Sequence, residues 1–199
     1  MEQGSSPEIT MSGETPLVSA VIPTRDRPDS LRRAVVSVLD QGLEPLEVVV
    51  VDDGSQPSVG DEISSMDHRI RVIRIDGSVG PAAARNLGAS RAQGSFIAFL
   101  DDDDYWLPGK IEACLDCFDR FPQAGAVFHL TGRSESKDEG SECTFHPQPL
   151  DRMLLRQPPH LDGVVVRSSV HNAVRFDESF RGAEDLDYLT RACPGHTHG

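Results

Sequence analysis

Apolar residues fall in short blocks of two alternating kinds along this chain. Leu17 to Ile22, Leu46 to Val51, Ile70 to Ile75, Ser95 to Leu100 and Ala126 to Leu130 are compact runs rich in β-branched and aromatic side chains, the pattern of buried strands. Pro23 is expected to stop the first of them, because proline cannot donate to a ladder. Between the strands the apolar period changes to that of a helix. Pro28-Asp29-Ser30 opens one with Leu31, Val35, Val38 and Leu39 on one side, and Gly42 ends it. A short helix is expected over Val59 to Met66, a thin alanine-rich one over Pro81 to Ala92, and a further one over Lys110 to Phe121. The small residues of the third suit close approach to a sheet or a ligand, although high helix propensity alone explains the alanines. Strand-helix alternation of this kind predicts an α/β fold, doubly wound, with a mostly parallel sheet and helices on both faces.

The second half is less regular. Residues 131–149 are polar, with Gly132, Gly140, Pro147 and Pro149, and read as a long loop of the sort that forms lids. A strand follows over Gly163 to Val166, and Ala183-Glu184-Asp185 begins a last helix carrying Leu186, Tyr188 and Leu189. Residues 1–15, rich in Ser, Gly and Glu, read as a disordered leader, and 194–199 as an irregular tail. Residues 16–193 are left as one domain, in which about 16–108 form one half and about 109–193 the other.

Charge narrows the function classes. Thirty-two acidic residues against 19 basic ones give a formal net charge of −13, with no basic stripe, which excludes a nucleic-acid surface and tight docking on anionic lipid. The longest apolar runs reach only four to six residues, so no transmembrane segment is expected, and the polar, acidic start does not resemble a signal peptide. These features place the chain in the cytoplasm, with any membrane contact peripheral. Cys114, Cys117, Cys143 and Cys193 are then expected as reduced thiols. The Cys114-x-x-Cys117 spacing lies inside a predicted helix without a second such pair, so a zinc or redox role is not assigned.

The chemistry gathers at strand ends. The run Phe96-Ile97-Ala98-Phe99-Leu100 delivers four consecutive carboxylates, Asp101, Asp102, Asp103 and Asp104, and Val48-Val49-Val50-Val51 empties into Asp52-Asp53-Gly54-Ser55. A solvated acidic turn explains one such cluster; two, at the carboxyl ends of parallel strands, mark the place where open α/β sheets bind ligands. Adjacent like charges there call for a hard cation, Mg²⁺ or Mn²⁺, together with a phosphorylated ligand.

Taken in order, Val18-Ser19-Ala20-Val21-Ile22-Pro23-Thr24-Arg25-Asp26-Arg27, Val50-Val51-Asp52-Asp53-Gly54-Ser55, Ala84-Arg85-Asn86-Leu87-Gly88, Phe99-Leu100-Asp101-Asp102-Asp103-Asp104 and Phe176-Asp177-Glu178 with Glu184-Asp185 resemble glycosyltransferase family 2, inverting enzymes of the GT-A fold. The resemblance covers about residues 16–193. It implies that Thr24 and Asp53 hold the base and ribose of a nucleotide-diphosphate sugar, with Asp26 and Arg85 as neighbours. It puts Asp101-x-Asp103 at the family's D-x-D, Asp101 facing the nucleotide's sugar, Asp102 beside it on the donor side and Asp103 as principal metal ligand, with Asp101 second. It puts Asp185 at the catalytic base, with Glu184 beside it.

The chemistry fits these roles. A cation bridging the leaving diphosphate lowers the cost of its developing charge, and an acceptor hydroxyl needs a carboxylate on the far side of the sugar to take its proton. Each residue also has a plainer explanation: acids at a helix start complement its dipole, Asp52-Asp53-Gly54-Ser55 suits a strand-to-helix turn, Thr24 is a loop hydroxyl and Arg85 a solvated helix charge. Trp106 is expected to close the core behind the acidic loop, and Tyr105 is the alternative sugar-stacking ring.

Two departures stand out. Arg25-Asp26 replaces the Tyr-Asn that the family often carries, and only residues 194–199 follow the Glu-Asp helix, which implies a C-terminally truncated acceptor side. His196 and His198 fit a frayed tail better than a ligand pair. The reading is thus a metal-dependent inverting glycosyltransferase acting on a hydroxyl of a glycan, a lipid-linked or a small-molecule acceptor, with an oligomer not forbidden. Its alternatives are a non-catalytic nucleotide-sugar-binding partner subunit and a nucleotidyltransferase. The second would need a glycine-rich basic loop after the first strand, and Pro23-Thr24-Arg25-Asp26-Arg27-Pro28 has no glycine.

Overall fold

The structure, a computed structural model, describes residues 17–128, 160–180 and 182–192. The expected leader, the end of the fifth strand past Phe128, the loop at 131–149, the tail, Cys143, Cys193, His196 and His198 lie outside the described residues.

The elements run β1 (Val18–Thr24), α1 (Pro28–Leu39), β2 (Leu46–Asp52), α2 (Gly60–Ser64), β3 (Ile70–Arg74), α3 (Pro81–Arg91), β4 (Phe96–Phe99), α4 (Lys110–Arg120), β5 (Ala126–Phe128), a 3₁₀ turn (Leu161–Gly163), β6 (Val164–Arg167), α5 (Ser168–Val174) and α6 (Glu184–Ala192). The strands form one sheet in the order β3-β2-β1-β4-β6-β5. β1, β2, β3 and β4 are parallel, whereas β6 runs antiparallel to both β4 and β5. The mostly parallel sheet is therefore as expected, with one reversed strand.

Alternation along each strand divides the core in two. Ala20, Ile22, Val48, Val50, Ala98 and Leu100 face α1, α2 and α4, while Val21, Val49, Ile97, Phe99, Val164 and Val166 face α3, α5 and α6. Strands buried on both faces have no solvent side to mark with polar residues, which is why they read as continuous apolar runs. α3 lies close against the sheet: a Cβ on Gly88 would sit 2.5 Å from Val21 Cγ1 and 2.9 Å from Val51 Cγ2. Its small residues thus serve sheet packing.

Three expectations are corrected. β1 does not stop at Pro23; it continues to Thr24 with Pro23 in register with Val51. Its pairing with β4 ends at Val21, so the missing proline N–H interrupts no ladder. A short helix, α5, follows β6 where none was expected, since Ser168-Ser169-Val170-His171-Asn172-Ala173-Val174 carries no strong helical period. Cys117 is disulfide-bonded, so the expectation of four reduced thiols, drawn from composition and blind to which sulfurs meet in space, fails there. Cys114, one turn earlier, is free and buried.

Among the described residues no helix is long and apolar enough to cross a membrane.

Candidate active site

The carboxyl ends of β1, β2 and β4 lie side by side, and three loops meet there. Asp52, at the end of β2, is fully buried. Its Oδ1 accepts the Ser55 N–H at 2.8 Å, and its Oδ2 accepts Arg74 Nη1 at 2.6 Å and Ser58 Oγ at 3.1 Å. Burial alone would raise its pKa, but the hydrogen bonds from Ser55, Val59 and Ser58 outweigh this and hold it below the usual carboxylate range. Asp52 thus shapes the turn that presents Asp53. Gly54 makes that turn with φ of +82°, and a Cβ there would stand 3.0 Å from the Gly77 carbonyl carbon.

Asp53 reaches across to the loop before α3. Its Oδ1 accepts Val79 N–H at 2.7 Å, and its Oδ2 accepts Ser78 Oγ at 2.6 Å and Gly80 N–H at 3.0 Å. Among the described residues only neutral donors hold it. Asp26 makes a parallel link, donating its N–H to Ser55 Oγ at 3.0 Å and accepting Gln56 N–H on Oδ1 at 2.7 Å. It does so in the left-handed region, φ 56°, which Asp tolerates better than most residues.

The acidic run after β4 is sorted by its neighbours. Asp102 turns inward and is buried, receiving Thr24 Oγ1 at 2.7 Å on Oδ2 and Arg27 Nη1 at 3.0 Å on Oδ1. The same Arg27 nitrogen reaches Asp103 Oδ2 at 2.8 Å. The hydrogen bond and charge of Asp102, then the charge of Asp103, raise the Arg27 pKa further. Asp101 receives Arg85 Nη2 at 2.6 Å. Burial, followed by the charges of Asp162, Asp101 and Asp103, pushes the Asp104 carboxyl upward. Arginine countercharge therefore supplies much of what the sequence assigned to a cation. Trp106 is buried in the core as expected, its Nε1 donating to the Asp162 carbonyl at 3.2 Å, while Tyr105 is exposed.

α3 joins this cluster to the start of α6. Arg85, which the sequence offered as a solvated helix charge, is only 5% exposed, and its Nη1 donates to Glu184 Oε1 at 2.9 Å. The next residue, Asn86, accepts the Phe176 N–H and donates to the Phe176 carbonyl and Glu178 Oε1, each at 2.9 Å. Asp185 is half-buried; its Oδ1 accepts the Leu186 N–H at 2.8 Å, and among the described residues it forms no ion pair. The sequence missed two partners here, Arg27 and the Arg85-Glu184 contact. Nothing in the spacing of residues 99 positions apart announces such a contact.

The profile of Glycosyl transferase family 2 matches residues 19–180, most of the chain and all but the last of these site segments. The chain belongs to glycosyltransferase family 2. Within that family's reach it is 31% identical over 204 residues to the succinoglycan biosynthesis protein ExoO of Rhizobium meliloti, covering 90% of this chain and 56% of ExoO. The chain spans about half the length of the curated relatives it matches first. Among solved structures it resembles S. aureus TarS 1-349, with a TM-score of 0.73 and 22% identity over 89% of this chain and 55% of that one. It also resembles the mannosyltransferase PcManGT of Pyrobaculum calidifontis, TM-score 0.67 and 19% identity over 90% of this chain and 52% of that one. These likenesses establish the fold that the glycosyltransferase resemblance implied.

The donor set also bears on a metal. Among the described residues no three His, Cys, Asp or Glu side chains form a self-contained cage. A hard cation that keeps waters and substrate phosphates in its shell needs only one or two carboxylates, and Asp103 with Asp101 offers them on an exposed rim. The residues fit such an ion.

Proposed function

We propose that this chain carries the donor-binding and transfer machinery of an inverting glycosyltransferase, moving a sugar from a nucleotide-diphosphate sugar to an acceptor hydroxyl with Mn²⁺ or Mg²⁺ at the diphosphate. Residues 16–108 form the donor half and 109–193 the acceptor half in this reading. The observation that carries it is the meeting, at one sheet edge, of the β1, β2 and β4 acid loops with the Glu184-Asp185 start of α6 through Arg85. TarS has been solved with UDP-GlcNAc, and PcManGT with GDP-Man and Mn²⁺, which supports a nucleotide-sugar as the donor class.

Asp53 and Thr24 build the nucleotide side. Asp53 pins Val79 and Gly80 opposite its own loop, and Thr24 locks Asp102 onto the end of β1. Asp103, with Asp101, would hold the cation, which when bound neutralises charge on the departing diphosphate. Arg27 must then yield its exposed contact with Asp103 while keeping Asp102. On the acceptor side, Asp185 uses Oδ2, the oxygen not engaged by the Leu186 N–H, to take the acceptor's proton as its oxygen attacks the anomeric carbon. One in-line displacement inverts that carbon. The experiment is calorimetric titration of the full chain with UDP-, GDP-, dTDP- and CDP-sugars, with and without Mn²⁺, followed by assay of slow hydrolysis. Binding of one donor that Mn²⁺ strengthens, with release of nucleoside diphosphate, supports the reading; no binding to any of them refutes it.

A further inference from the structure

Arg85 reaches two acids that belong to opposite halves of the site. It is almost fully buried, one of the buried positions of α3. One terminal nitrogen holds Asp101 at the end of β4, the other holds Glu184 in the first turn of α6, and the guanidinium lies 5.5 Å from the centre of the Phe176 ring. The rest of the segment before α6 is fastened by the neighbouring residue, through the three bonds of Asn86 to Phe176 and Glu178. The arrangement has a cost, because Arg85 Nε is buried without a hydrogen-bond partner among the described residues. Burial by itself would lower the Arg85 pKa, but Asp101 and Glu184 more than offset it, so the guanidinium stays charged. The two carboxylates it holds differ in exposure, 40% for Asp101 and 15% for Glu184, so the clamp has a wet end at the donor side and a drier end at α6. Ala183, just before Glu184, sits at φ 59°, a left-handed geometry that alanine adopts only when its surroundings impose it.

We propose that Arg85 is a positioning residue that sets the distance between the Asp101 strand end and the first turn of α6 and withholds Glu184 from proton transfer, leaving Asp185 as the base. The inference rests on the functional reading above. Two neighbouring carboxylates at a helix start are chemically equivalent candidates; what separates them here is that Glu184 is committed to a buried guanidinium and Asp185 is not.

The test is nucleotide-sugar hydrolysis by the full chain and by Arg85→Met, Asp185→Asn and Arg85→Met/Asp185→Asn, with Arg85→Lys and Glu184→Gln as milder variants that break one arm each. Misplacement of α6 in Arg85→Met should lower kcat by about 10- to 100-fold with KM for the donor changed far less. The decisive readout is the double variant: with Glu184 released, Asp185→Asn should cost about tenfold in the Arg85→Met background against about 10²- to 10⁴-fold in the parent. Glu184→Gln should leave the Asp185→Asn loss at its full size in either background. Equal losses in both backgrounds overturn the inference, as does unchanged kcat in Arg85→Met. Should Arg85→Met fail to fold, Arg85→Gln, which also removes the charge that holds Glu184, gives the same comparison. No turnover by the parent with any donor overturns the functional reading and this inference with it; turnover that the Arg85 variants leave intact overturns this inference alone.

Discussion

Thr24 Oγ1 donates to Asp102 Oδ2 over 2.7 Å, and this one buried bond ties the end of β1 to the turn after β4. The hydroxyl that the family resemblance assigns to the nucleotide is, in the fold, a strut beneath the acidic loop. Thr24→Val keeps the shape and removes the donor, leaving a buried carboxylate with Arg27 as its partner among the described residues. It should destabilise the fold by about 1–3 kcal/mol. Urea denaturation measures this, and donor affinity should fall in parallel because Asp101 and Asp103 flank the loosened residue.

Asp53→Ala should weaken nucleotide binding by about 1–3 kcal/mol and also loosen the loop before α3, because the carboxylate holds Ser78 Oγ and the N–H groups of Val79 and Gly80. Calorimetry with the nucleoside diphosphate and hydrogen exchange at Val79 and Gly80 should report both effects. Unchanged affinity with increased exchange would confine Asp53 to the loop.

Asp103→Ala should remove the Mn²⁺-dependent part of donor binding and leave the fold intact, since its side chain is more than half exposed and its partner Arg27 keeps Asp102. Titration with nucleoside diphosphate with and without Mn²⁺ checks it. Metal dependence equal to the parent's would place the ion elsewhere.

The doubly wound sheet, the helix of Arg85 and the strand-end acids were legible because each follows from a local pattern: an apolar run, a helical period, a carboxylate pair. What was not legible depends on contacts between distant residues. Arg27 closes on Asp102 and Asp103 from 75 and 76 positions away, and Arg85 spans 99 to reach Glu184. Composition near Asp101 to Asp104 shows only repulsion, so the sequence demanded a cation for charge that two arginines already offset in part. Pro23 misled for a related reason. Whether its missing N–H matters depends on where the β4 ladder ends, and that is a property of the sheet.

His171 gives a pH prediction. It is buried against Phe99 and Phe176 with Tyr188 Oη 3.1 Å from its Nδ1, and burial, then the charge of Arg175, lowers its pKa from 6.5 to about 4. Between those values the unfolded chain binds a proton that the folded chain excludes. Stability therefore falls as pH drops from about 6.5 to about 4, by at most about 1.4 kcal/mol per pH unit from this group. In His171→Phe that slope should be smaller over the same window when urea midpoints are compared with the parent.

Asp185→Asn tests the central claim most directly. An amide keeps the size and the bond from the Leu186 N–H but cannot take a proton, so donor binding in the presence of Mn²⁺ should stay near the parent's while turnover falls by about 10²- to 10⁴-fold. Measuring both on the same samples, by calorimetry and by release of nucleoside diphosphate, separates binding from chemistry. Normal binding with turnover lost is the predicted result; transfer or hydrolysis at the parent's rate would contradict Asp185 as the base.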